Sequence, residues 1–143
     1  MANIIPFAFR GELFSGTHNF ASGGDSFKIA LYTSIAAFST ASTTYITTNE
    51  VSSGGGSGYT TTGQVLGSQA VASSTAVASV DFADSSIASA TFSAAGAAIY
   101  NDDKSDKLCV VLDFGGSKTA TNGTFTIAFP DPSTPANAII SMS

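Results

Sequence analysis

Tryptophan is missing from this chain, cysteine and histidine occur once each, and charged residues make up only 10% of 143 positions. Each shortage closes off a kind of chemistry. The single cysteine, Cys109, cannot form an internal disulfide, and its setting in LCVVLDF marks it as a small hydrophobe inside a strand. The single histidine, His18 in GTHNF, leaves too few His and Cys for a zinc site. No residue pattern supplies His18 with a nucleophile or a second partner, so it reads as a loop hydrogen-bonder and no catalytic residue is expected. Asp81 and Asp84 in VDFADSS stand three apart, which puts them on opposite faces of a strand rather than together as an acid and base pair. The glycines of SSGGGSGYTTTG have no lysine in the position a phosphate loop requires. No metal and no cofactor are expected.

Positive charge is scarce too. Arg10 is the sole arginine, and the net charge is −5. Such a chain has nothing with which to neutralise a run of phosphates, which argues against a nucleic-acid partner. No apolar run reaches the roughly 18 residues of a membrane span, and MANIIPFAF has no basic residue ahead of its apolar part as a secretory signal would. The expectation is a soluble protein finished in the cytoplasm, without a membrane partner.

What the chain has is alternation. In SFKIALYTS, Phe27, Ile29 and Leu31 share one face; in GTFTIAFP, Phe125, Ile127 and Phe129 do the same. Further strands are expected at 62–67, 77–83, 87–93, 95–101, 107–114 and 137–143, about eight short strands in all. Gly115-Gly116, Asn122-Gly123 and the Pro130, Pro132, Pro135 series are read as breaks between them. Asn122-Gly123-Thr124 also fits a glycosylation acceptor, but is read first as a turn. The length suits one domain, 1–143, with an N-terminal segment over 1–20. In that segment Pro6 starts a short helix, Phe9 and Leu13 share a face, and Gly16 ends it. Residues 35–79, rich in Ser, Thr and Gly, read as a flexible linker or, preferably, as an ordered excursion anchored by Tyr45, Ile46, Val51, Tyr59, Val65 and Leu66.

Two features invite a functional reading. Asp102, Asp103, Lys104, Asp106 and Lys107 crowd between two strand patterns, as a wet hairpin tip or, less simply, as a calcium site built on the three aspartates. The side chains of Ile4, Ile5, Phe7, Phe9, Leu13 and Phe14 are more apolar than a short, glycine-interrupted helix leaves in water. They either dock a partner or fold back over one end of the domain.

Taken in order, ELFSGTHNF (12–20), DSFKIALYTS (25–34), TTYITTNEVSSGGGSGYTTTGQVL (43–66), VDFADSSIASATFSAAGAAIYND (80–102) and LDFGGSKTATNGTFTIAFP (112–130) resemble small structural proteins of tailed bacteriophages. The resemblance covers most of the chain and implies a virion component. Its leading form is a capsid decoration (cement) protein: an all-β, jelly-roll-like antiparallel β-sandwich seated on the capsid exterior. Such a protein would bind the major capsid protein and form a homotrimer matched to local threefold positions. A tail, neck or head-fibre part and a carbohydrate-binding fibre module are the alternatives. The sandwich core is expected from Phe27, Ile29, Leu31, Phe82, Phe92, Leu108, Val110, Leu112, Phe125, Ile127 and Phe129.

Overall fold

The alternation of SFKIALYTS becomes strand β1 (Phe27–Tyr32), whose residues are buried but for Lys28. The computed structural model describes residues 2–74, 76–130 and 138–142, over which the chain is mostly β, with two antiparallel sheets and one short helix. Helix α1 (Phe7–Phe14) is followed by β1, β2 (Gln64–Val65), β3 (Ala70–Ser73), β4 (Ala78–Asp81), β5 (Ser85–Asn101), β6 (Lys107–Ile127) and β7 (Ile140–Met142). The larger sheet runs β2-β1-β5-β6 and the smaller β3-β4-β7. Pro132, Pro135, Asn137 and Ser143, named in the strand expectations, lie outside the described residues.

Both faces of β1 are covered. Phe27, Ile29 and Leu31 enter a large core that also takes Phe9, Phe20, Phe82, Ile99, Val110, Phe125 and Ile127, and Ile140 from the smaller sheet. Ala30 and Tyr32 enter a second cluster with Ile35, Phe38, Tyr100, Leu108 and Val111. The expected core is corrected accordingly: Leu108 belongs to the second cluster, and Phe92 and Phe129 are only partly buried at the margin of the first. Alternation identifies which residues share a face; it says nothing of whether the other face is also covered.

Two further expectations change. The patterns at 87–93 and 95–101 are one strand, β5, of 17 residues, and those at 107–114 and 123–130 merge into β6, of 21 residues. Gly115-Gly116 and Asn122-Gly123 are therefore bulges within β6 rather than turns. Between the pairs Gly96↔Asp113 and Ala94↔Lys118, residues 114–117 stand opposite Ala95 alone, with Gly115 at φ 70° and Gly116 at φ 135°. Thr121 and Asn122 together oppose Thr91, whose hydroxyl accepts the Asn122 N–H at 2.9 Å while Asn122 adopts φ 49°. Both dipeptides tolerate positive φ, and a bulge uses that tolerance as readily as a turn does.

Of the six residues expected to anchor the long excursion, Val51, Tyr59 and Leu66 are buried, Tyr45 and Ile46 pack on the second cluster, and Val65 is exposed.

Candidate functional site

Polar chemistry concentrates where α1, the loop after it and the β5–β6 tip meet. The end of α1 sets this up. Gly16, at φ 71°, donates to the Leu13 carbonyl at 3.3 Å and Thr17 to that of Glu12 at 3.0 Å, a Schellman closure that turns the chain back along the helix. His18 thereby returns to Glu12, with Nε2 at 2.8 Å from Oε2. Its other nitrogen faces Asn101, which is fully buried. Asn101 Oδ1 accepts the Asp103 N–H at 3.1 Å, so Nδ2 is the donor, at 2.9 Å to both His18 Nδ1 and Asp25 Oδ2. His18 must then accept at Nδ1 and donate from Nε2 to Glu12.

Lys107 reaches the second oxygen of Glu12, and Lys104 lies 3.5 Å from Asp25. Burial pushes the Glu12 carboxyl upward, but the Lys107 and His18 hydrogen bonds outweigh it and hold the group below its ordinary value. Asp25 behaves alike: burial raises it, while Asn101, the Asn19 N–H and Lys104 bring it below the usual carboxylate range. The His18 ring is enclosed, with Phe9 and Phe20 at centroid distances of 5.2 and 6.1 Å. With both nitrogens bonded and no water-facing edge, it serves as a joint between three segments.

The hairpin tip carries the rest of the charge. Asn101 caps a 3-10 turn at Asp102–Lys104, Asp102 pairs with Lys28 at 2.9 Å, and Asp103 accepts the Ser26 N–H at 2.6 Å. Two of the three aspartates weighed as calcium ligands are thus bonded back to β1 and its approach. Among the described residues no three His, Cys, Asp or Glu side chains come together as a metal group. Cys109 is buried, and that burial pushes its thiol far above the ordinary value, which suits the packing role expected of it.

A second polar cluster was not visible in the sequence. All four tyrosines surround Glu50 or its neighbour Thr62. Glu50 accepts from Tyr45 at 2.5 Å, Tyr59 at 2.6 Å and the Thr62 N–H at 2.8 Å, and Tyr100 donates to the Thr62 carbonyl at 2.5 Å. Thr62 sits at φ 81°, a costly geometry for a β-branched residue, held by those two bonds. Burial drives the hydroxyls of Tyr45, Tyr59 and Tyr100 upward, aided by nearby carboxylates, so they are donors at neutral pH. The cluster pins the excursion to the sheet.

The six apolar N-terminal residues divide. Phe9 is fully buried in this chain's own core; Ile4 bridges β6 at Val111 and packs on the second cluster, and Ile5 and Leu13 pack against the first. Phe7 and Phe14 remain 61% and 90% exposed. Val71 and Met142 of the smaller sheet, at 57% and 56%, join them as exposed large hydrophobics. Two adjoining clefts of about 330 and 440 Å³ run between α1 and this sheet, both lined by Leu13, Ile140 and Met142. The helix residues were legible as a segment too apolar for water; Val71 and Met142 were not, because only the fold brings them alongside.

No protein-family model, curated protein or solved structure matches the chain.

Proposed function

We propose that the chain is a structural protein of a tailed-bacteriophage virion, a capsid decoration protein that binds the major capsid protein on the outside of the head as a homotrimer. The observation that carries this reading is the apolar face where Phe14 projects beside Met142 and Val71. Single exposed hydrophobes are ordinary, but a cluster along two continuous clefts is the surface of a protein that is covered in use. The polar residues with chemical potential, His18, Glu12, Asp25 and Glu50, are spent on one another, on neighbouring side chains and on the backbone, which supports a structural role. A jelly-roll-like sandwich belongs to the same reading, supported by two antiparallel sheets that contribute to one core.

The test is to add purified protein to undecorated phage heads and pellet them. Saturable binding with a fixed number of copies per head is expected; protein that stays in the supernatant at all concentrations contradicts the reading.

A further inference from the structure

The 330 Å³ cleft has two unlike walls. One is α1 with the residues leading into it, offering Ile5, Leu13 and Phe14; the other is β7, Ile140–Met142. Among the described residues β7 is the end strand of its sheet and pairs with β4 alone, through Ala78↔Met142, Ser79↔Ser141 and Val80↔Ile140. Among the described residues nothing pairs along its outer side. That wall therefore presents main-chain donors and acceptors in strand geometry, facing a helix that presents apolar side chains. An extended segment is the shape that satisfies both walls, its backbone on β7 and alternate side chains on α1.

Charge narrows the occupant. Lys28, Lys104 and Lys107 each pair with a carboxylate. Among the described residues Arg10 and Lys118 do not, and Arg10 lies on this cleft, its guanidinium 5.4 Å from the Phe7 ring and 3.4 Å from the Ile5 carbonyl. An unneutralised arginine beside an apolar strand-wide cleft, in a chain of net charge −5, selects a carboxylate. A second copy of this chain fits poorly. Of its sheet-edge strands β2, β3, β6 and β7, only β6 carries an acid, Asp113, and that carboxylate already accepts the Gly115 N–H at 2.9 Å.

We propose that an extended segment of the coat subunit, apolar at alternate positions and bearing a carboxylate that meets Arg10, adds to the open edge of β7 and fills the cleft beneath α1. This rests on the capsid reading above and specifies how the contact is made.

The experiment measures binding of the full chain to undecorated heads for wild type, Arg10→Gln, Phe14→Ser and, as a charge-matched control, Lys118→Gln. All three sites are exposed, so unchanged melting curves are expected. The proposal expects about tenfold weaker binding for Arg10→Gln, at least that for Phe14→Ser, and no change for Lys118→Gln. It also expects slower hydrogen exchange at Ile140–Met142 on heads than in solution. Wild-type binding that neither Arg10→Gln nor Phe14→Ser weakens, with unaltered β7 exchange, overturns the cleft while leaving the capsid reading intact. Equal loss in Lys118→Gln overturns the specific Arg10 contact. Self-association abolished by the same two substitutions shows a second copy in the cleft and overturns the partner named. Failure of wild type to bind heads removes the capsid reading and the proposed occupant with it.

Discussion

Asn101 is the residue on which most of the polar architecture turns, since its one amide serves the imidazole of His18, the carboxylate of Asp25 and the backbone of Asp103. Asn101→Ala removes hydrogen bonds from three segments at once, leaves the buried His18 Nδ1 without its donor, and should cost about 3 kcal/mol, read as a lower urea midpoint. Asn122→Gly, at an exposed bulge position with positive φ, should stay within about 0.5 kcal/mol. Similar costs for the two would contradict the network. Glu12 and Asp25 add a pH dependence whose sign follows from their lowered folded values. A carboxyl that binds its proton more weakly in the folded than in the unfolded chain stabilises fully above the unfolded value, and that contribution fades as pH falls through the folded one. Wild type should therefore lose stability below about pH 4, and a Glu12→Gln, Asp25→Asn variant should lose less over the same interval. Parallel melting-temperature curves for the two proteins would refute this. None of it was legible beforehand: Glu12, His18, Asp25 and Asn101 are scattered in sequence, and a lone histidine announces no partners.

At the scale of elements, legibility followed the kind of signal. Helix α1 was readable because Pro6 precedes it and Gly16, in left-handed geometry, closes it, both of which are local effects. Most strands were readable from the sequence, but β3, inside the excursion, was not, and neither were the lengths of β5 and β6, because Gly115-Gly116 and Asn122-Gly123 carry the same local preference in a bulge as in a turn. The glycines also separate cleanly by what surrounds them. A Cβ at Gly11 of α1 meets nothing within 4 Å, whereas one at Gly63, where φ is 79°, falls 2.0 Å from the Ile29 carbonyl oxygen. Gly11→Ala should raise stability by about 0.5–1 kcal/mol through helix propensity. Gly63→Ala should lower it by about 3 kcal/mol or more, as a backbone clash in a left-handed position demands. Thermal melts of the two variants moving in the same direction would contradict the placement of β2 against β1.

For the whole molecule, the shortage of charge noted at the outset acquires a physical meaning. Three of the five cations are consumed in pairs that tie α1, β1 and the hairpin tip together. The outer face of the β5–β6 hairpin is finished with hydroxyls, Ser86 facing Thr126 at 3.0 Å and Ser93 facing Thr119 at 2.6 Å. Such pairs stabilise neighbouring strands without adding charge. What remains outward is a hydroxyl-rich surface of net negative charge, with Phe14, Val71 and Met142 exposed together where α1 meets the smaller sheet, a division suited to a part that is pressed against a neighbour. The measurement that bears most directly on this reading is a cryo-EM reconstruction of heads incubated with the purified protein. It should show added density of three copies over local threefold positions on the outer surface, with α1 and the β3-β4-β7 sheet turned toward the coat subunits. Heads with a bare exterior, or density that meets the coat only through the β5–β6 hairpin, would contradict it.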